Sequence, residues 1–429
     1  MLAALFWGCA GAAAPDSPQR PLTILHTNDL HARLLPDGEG RGGFAELAAV
    51  FRQQCADAEA CLVLDAGDMV QGSPVSTLFE GVPVYEVASR MGFDASTLGN
   101  HEFDYGWAKI AQFADAANFP ILNANMTHPA GGRLGDGPTT VLTTANGIRV
   151  GIVGVVTESL PYLVAPGAPG DWRALPVRET VASIVPALRS RSDIVVVLGH
   201  LTDEEEAGLL DVPGVDVVVS GHDHRGLGEP LTDDDTVVVR VRAWGLEVGR
   251  LDTVVDVSAD RIASWSWNRV AVRGEVEPDP ATLRIVRGWE AQVSELVDVP
   301  LVHVTRDHDR QEMKRLFERA LREETGADLA HINSGAVREN FSEGQLLVRG
   351  VWNAMPFDDR VVTVTARGSQ LPASIRQEHG LADDSTYKVA TIDFVVGQWK
   401  LHGSADLEVE EGEVLRDLLL RWIAAQGRL

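Results

Sequence analysis

The sequence predicts an α/β chain in two parts, and three observations carry that expectation. Short β-branched runs alternate with helical patterns from Leu22 to about Val272. A Pro-Asp-Pro break at Pro278–Pro280 is followed by one helical run over Ala281–Val297, and a second set of strands and helices begins near Leu301. The length, 429 residues, exceeds what a single hydrophobic core usually organises. The expected boundaries are a leader and spacer over residues 1–20, a first domain over 21–277, a linker helix over 278–299 and a second domain over 300–429.

Taken in order, the chain opens on apolar and small residues, Met1 to Gly11, leading into Pro15, Asp16 and Ser17. This resembles the end of a secretory signal followed by a spacer. It lacks a basic n-region and is too short to span a bilayer. Phe6-Trp7-Gly8-Cys9 resembles a degenerate bacterial lipoprotein cleavage box, with Phe where Leu is usual, which would place a lipid anchor on Cys9. The alternative is an unstructured terminus with an incidental Cys. Export to the periplasm or cell envelope is the expectation. Cys55 and Cys61 are either a small loop disulfide, suited to an oxidising compartment, or two buried thiols.

In the first domain, strands are expected at Thr23–Leu25, Cys61–Leu64, Ala95–Thr97, Ile121–Asn123, Arg149–Val155, Asp193–Leu198 and Asp216–Val219. Near-continuous apolar strands of this kind are buried on both faces. Helices are expected between them, at Gly43–Gln54, Pro83–Arg90, Ala108–Ala116 and Thr180–Arg189. More exposed antiparallel strands close the domain at Val237–Val241, Leu251–Val257 and Ile262–Arg269. The second domain reads as helix Gln311–Glu324 with strands near Leu329–Ile332, Asp359–Ala366 and Tyr387–Thr391. With 45% apolar and 23% charged residues the composition is that of an ordinary globular protein. The formal charge of −25 argues against a nucleic-acid partner, and any anionic ligand must be attracted locally, by metal ions or a few arginines.

Five of the apolar strands end in metal-ligand chemistry. The first runs into Asn28-Asp29-Leu30-His31, the second into Asp65-Ala66-Gly67-Asp68, and the third into Gly99-Asn100-His101-Glu102. Asp193–Leu198 runs into Gly199-His200, and Asp216–Val219 into Gly221-His222-Asp223-His224. Strand carboxyl ends are where an α/β sheet gathers a site. Any one of these pieces alone is an ordinary loop; their number and order are not. Imidazole, carboxylate and amide ligands without thiolates suit Zn, Mn or Fe(II) rather than a structural zinc knot.

The set Asp-x-His, Gly-Asp, Gly-Asn-His-Glu, Gly-His and Gly-His-x-His resembles the calcineurin-like metallophosphoesterase superfamily. The stretch Gly99–Gly106 and the second domain narrow the resemblance to the 5'-nucleotidase family. That resemblance implies a four-layer α/β/β/α sandwich followed by a smaller α/β C-terminal domain. It also implies two divalent ions roughly 4 Å apart, clamping a phosphoryl group and activating water. Asp29, His31, Asp68 and His224 would hold one ion; Asp68, Asn100, His200 and His222 would hold the other, with Asp68 bridging. His101 would stabilise the transferring group and assist the leaving oxygen, and Asp104 would orient it. Glu102 and His26 are expected to be structural, and Asp65 and Asp223 to orient ligands.

In the second domain, Asn333-Ser334-Gly335-Ala336-Val337-Arg338 resembles the family's Asn-x-Gly-x-x-Arg turn. Phe357 and Phe394 stand at its two stacking positions, and Arg306 and Arg310 where it places two anion-binding arginines. The expected substrate is a small phosphate ester, a 5'-nucleotide by the resemblance. The pattern breaks after Phe394: Lys400 stands where the family has an Asp that holds ribose hydroxyls, and Asp358-Asp359 replace a small turn after Phe357. A cyclic-nucleotide phosphodiesterase, a nucleotide-sugar pyrophosphatase and a thiosulfohydrolase-like enzyme are the enzymatic alternatives. A non-catalytic binding protein is the alternative outside enzymes.

Overall fold

The computed structural model describes residues 18–233, 235–402 and 407–429. Cys9 and the leader expected over Met1–Ser17 lie outside the described residues.

Two six-stranded mixed sheets form the first half. One runs Arg261–Ala271, Glu247–Asp256, Gln19–Thr27, Cys61–Asp65, Ala95–Thr97, Ile121–Leu122, its last four strands parallel. The other runs Leu231–Thr232, Val237–Val239, Val217–Gly221, Ile194–His200, Arg149–Val156, Thr139–Thr143, with the central four parallel. Alternation along the strands explains the layering. Leu22, Ile24, Leu62 and Leu64 meet Ile152, Val196, Leu198 and Val219 between the sheets. The intervening residues face outward: Leu25 and Val63 pack on helices Phe44–Ala56 and Val82–Ala88, and Val153, Val197 and Val218 on helix Val177–Arg189. The result is helix, sheet, sheet, helix. Each such Leu or Val, fully buried, contributes about 1.5–3 kcal/mol against exposure.

Register then gathers the strand ends. Thr27 lies opposite Asp65, and Val156, His200 and Gly221 lie side by side, so the loops that follow leave both sheets at one edge. The helix expected over 281–297 is found at Pro280–Val297, with Pro280 at its first turn and Asp279 accepting from the Thr282 N–H (2.7 Å). Its Val286, Val293 and Val297 join the outer core of the first half.

Beyond it a separate core fills the second half. A four-stranded sheet, in the order Leu329–Ala330, Thr386–Ile392, Arg360–Arg367, Glu408–Val414, is covered by helices Arg310–Thr325 and Leu415–Gln426. The strand Glu408–Val414 was not expected: its charge-rich sequence suits a sheet edge and hides the pairing. The segment after Phe394 is also not a turn. Val395, Val396 and Trp399 bury one face, and residues Asp393–Leu401 form a helix. Cys55 and Cys61 are joined as a disulfide that ties the end of helix Phe44–Ala56 to the next strand. Among the described residues no helix is long and apolar enough to cross a membrane.

Candidate metal centre

The loops carrying Asp29 and Asp68 are hydrogen-bonded to each other before any ligand is considered. Asp29 N–H donates to Gly67 O (2.9 Å), His31 N–H to Asp68 O (3.0 Å) and Ala32 N–H to Met69 O (2.8 Å). Two glycines make the approach feasible. A Cβ on Gly99 would lie 2.1 Å from Asp68 Oδ1, and one on Gly67, which has φ +87°, would lie 2.6 Å from Gly99 N. Glu102 has the structural role expected of it. Its carboxylate accepts the N–H groups of Gly99 (2.6 Å), Asp68 (3.0 Å) and Met69 (2.9 Å), and the Tyr85 hydroxyl (3.3 Å).

Around this frame the seven expected ligands converge. His31 Nε2 and His224 Nε2 face one another at 2.9 Å, and His224 Nε2 lies 3.3 Å from Asp29 Oδ1. Ligand atoms of Asp29, His31, Asp68 and His224 all lie within 4.8 Å of one another. His200 Nε2 is 3.1 Å from Asp68 Oδ2, and the His200 and His222 rings are 5.0 Å apart. Asn100 lines the same cavity as Asp68, His222 and His224.

Hydrogen bonds outside the centre decide which atoms are left free. Asp29 Oδ2 accepts from Asn28 Nδ2 (2.7 Å) and His222 N–H (2.9 Å), leaving Oδ1 without a partner. His200 Nδ1 is fixed by Ala66 O (2.9 Å), leaving Nε2 as the inward atom, also without a hydrogen bond. Asn100 Oδ1 is buried and unpaired. Asp29 Oδ1 and Asn100 Oδ1, buried acceptors left unpaired in one place, suit a cation. The charges agree. Burial would raise the carboxyls of Asp29 and Asp68, yet the neighbouring His200, with His224 and His101, holds both well below the usual range. Burial would lower His200, yet Asp68 and Asp29 push it up to about 10. A proton on His200 therefore occupies a place a divalent ion would take, and these residues fit such an ion.

The backbone is strained in the same place. Among the described residues ten that are not glycine have positive φ, and five of them are Asp29, His31, Asp68, His222 and His224. Each left-handed residue costs of order 1–3 kcal/mol and persists only where its surroundings impose it. Asp223 meets Arg240 (3.5 Å), a buried guanidinium held in turn by Glu206 (2.7 Å). Asp65, also expected to support the ligands, is buried and accepts from Thr27 Oγ1 (2.8 Å) and Gly67 N–H (3.1 Å); burial raises its carboxyl to about 8. His26 accepts from Trp267 Nε1 (3.1 Å), away from the centre.

His101 sits beside the centre. Its N–H donates to Asp68 Oδ1 (2.8 Å), its Nδ1 is 2.7 Å from Asp104 Oδ2, and its Nε2 is 3.9 Å from Asp68 Oδ2. Burial lowers its pKa, but the charges of Asp104 and Asp68 outweigh that and raise it. The opposite wall of the cavity comes from the second half of the chain. Phe357 stacks on His101 (5.9 Å between centroids), and the Arg338 guanidinium lies 5.7 Å from the Phe357 ring and 3.3 Å from His31 Nε2. Asn333 and Phe394 line the same cavity, which has a volume of about 370 Å³. Arg310 is not among the residues that line it; its Nε donates to Ser334 O (3.2 Å).

One expected residue is placed differently. Arg306 is exposed, pairs with Glu312 (2.9 Å) and lines a separate surface cleft with Arg315 and Arg319. Lys400 is exposed in the last turn of helix Asp393–Leu401. Two residues with evident roles were not assigned one, Asp393 and Arg416, and Asp359 was noted only as a break in the pattern. Asp359 and Asp393 line the cavity, and the buried Arg416 donates to Phe357 O (3.0 Å), pairs with Asp358 and lies 3.8 Å over Trp352. The doubled Asp358-Asp359 was a visible signal; Arg416, distant in sequence, gave none.

Residues 22–226 match the calcineurin-like phosphoesterase family, and residues 297–380 match the 5'-nucleotidase C-terminal domain. A 5'-nucleotidase of Vibrio cholerae is 26% identical over 429 residues, covering 85% of this chain and 77% of that protein. A 5'-nucleotidase precursor of Thermus thermophilus has a similar structure, with a TM-score of 0.87 at 23% identity, covering 95% of this chain and 97% of that one. The sulfate thiohydrolase of Thermus thermophilus shares the fold at a TM-score of 0.83 and 16% identity, covering 97% and 96%.

Proposed function

This chain belongs to the calcineurin-like phosphoesterases and is a 5'-nucleotidase-like metallophosphoesterase, and on that footing we propose that it hydrolyses a phosphomonoester, a 5'-nucleotide first among candidates. The observation that carries the reading is the buried pair of unpaired acceptors Asp29 Oδ1 and Asn100 Oδ1, with His200 Nε2 facing Asp68, next to a His101 oriented by Asp104. Asp29, His31, Asp68 and His224 would hold one divalent ion, and Asp68, Asn100, His200 and His222 a second. Such ions, when bound, draw phosphoryl oxygens together and activate water. Zn, Mn and Fe(II) suit these donors.

The remaining work falls to side chains. Asp104 fixes the His101 ring, so that Nε2 can deliver a proton to the leaving oxygen. Arg338, held against Phe357 beside the centre, offers a guanidinium fork to the phosphoryl oxygens. Asn333, Phe357 and Phe394 form the wall that meets the leaving group. Export is part of the proposal, supported by the Cys55–Cys61 disulfide.

A second reading, hydrolysis of a non-nucleoside phosphoester, is favoured by one observation: the segment after Phe394 is the helix Asp393–Leu401, which carries Lys400 to the surface. Phosphate release from AMP, a 2',3'-cyclic nucleotide, a nucleotide sugar and a non-nucleoside monoester separates the two. AMP should lead, and His101→Ala should lower kcat about 10²–10⁴-fold with metal content unchanged. Activity restricted to the non-nucleoside ester would select the second reading. No turnover on any of the four by metal-loaded protein would reject both.

A further inference from the structure

A second group of ligand-type side chains lies outside the catalytic cavity, in the second half of the chain. His331 follows the strand Leu329–Ala330, and Glu378 and His379 end the helix Ala373–His379, where Gly380 at φ +63° turns the chain away. One ligand atom from each of the three lies within 4.8 Å of the other two. His331 Nδ1 and His379 Nε2 are buried atoms with no hydrogen-bond partner. His331 Nδ1 stands 3.4 Å from Glu378 Oε2. Two donors on a tetrahedral zinc, each at roughly 2.0–2.1 Å from the metal, are separated by about 3.3–3.4 Å.

The surrounding charges leave room for a cation. Lys314 lies on the other oxygen of the carboxylate, 3.4 Å from Glu378 Oε1, and is itself paired with Glu318 at 2.7 Å. With both carboxylates ionised and the imidazoles neutral, Lys314, Glu318 and Glu378 sum to one negative charge. We infer that His331, Glu378 and His379 form a zinc site separate from the catalytic centre, with water completing the coordination. Two imidazoles and one carboxylate are a donor set that zinc favours. The ion would pin the loop leaving strand Leu329–Ala330, two residues before Asn333 enters the catalytic cavity. The inference does not depend on which ester the enzyme cleaves, nor on how many ions the catalytic centre holds.

The test compares zinc bound per chain in full-length wild-type protein, His379→Ala and Glu378→Gln, equilibrated at equal micromolar free zinc and analysed by elemental mass spectrometry. Both variants should bind one zinc fewer per chain, or require at least about tenfold more free zinc to reach the wild-type count. The zinc-dependent rise in melting temperature should shrink with it, while turnover of the best substrate persists, since neither residue touches the catalytic cavity. Because both side chains sit at a partly exposed helix end, circular dichroism of the variants should match wild type. An unchanged zinc count in the two folded variants overturns the site.

Discussion

The two walls of the cavity are built on different terms. On the first, five of the seven candidate ligands are buried, several stand on left-handed backbone, and outward atoms are committed to backbone partners such as Ala66 O and His222 N–H. On the second, Asn333, Arg338, Phe357 and Phe394 have ordinary backbone conformations and are only partly buried. Strain and burial mark the side where geometry must hold within fractions of an ångström, as stabilising a charged transition state requires. The relaxed wall can change its residues without undoing the fold. Asp358 and Asp359, which replace the small turn the resemblance implied after Phe357, stand on this wall.

The sharpest way to break this contrast is Asp68→Asn. Asp68 accepts the His101 N–H, faces His200 and belongs to both expected ligand sets. Turnover should fall at least about 10³-fold, beyond what removing a single electrostatic donor costs, and metal content should fall with it. Elemental analysis and steady-state kinetics on the same preparation check both. A variant that keeps its metal and loses less than tenfold would place the chemistry elsewhere.

Substitutions on the second wall should be milder and should separate two phenylalanines. Phe394→Ala should raise KM for AMP roughly tenfold, the worth of one stacked base, with kcat retained. Phe357→Ala should raise KM similarly and also lower kcat, because its ring packs on His101. Arg306→Ala, remote from the cavity, should leave both within about twofold. If the two phenylalanines leave AMP kinetics unchanged, the wall does not bind a base.

The same contrast explains what was legible in the sequence. Ligands such as Asp29 and His31, or His222 and His224, are close in sequence at the ends of apolar strands, so the pattern exposes them. The helix after Phe394 was not read from the sequence because the burial of Val395, Val396 and Trp399 depends on the sheet beneath them. Arg306 was misplaced because its guanidinium pairs with Glu312, in the exposed first turn of helix Arg310–Thr325. Arg416, holding Phe357 O from 59 positions away, and the buried carboxyl of Asp359 are products of folding alone.

Asp359 gives the smallest and most specific prediction. Its side chain borders the cavity, and burial raises its carboxyl to about 8, with the charges of Asp393, Asp104 and Asp358 adding to the shift and Arg416 opposing it. Below pH 8 it is neutral; above pH 8 the cavity gains a negative charge facing an anionic substrate. KM for a phosphomonoester should therefore rise as pH passes through 8. The expected increment is roughly fivefold, from the ~1 kcal/mol between unit charges a few ångströms apart in water. Asp359→Asn, neutral throughout, should flatten that rise and leave the kcat profile, set by the metal centre, parallel to wild type. Superimposable KM profiles for the two proteins between pH 7 and pH 9, the range bracketing that pKa, would show that this carboxyl does not face the substrate.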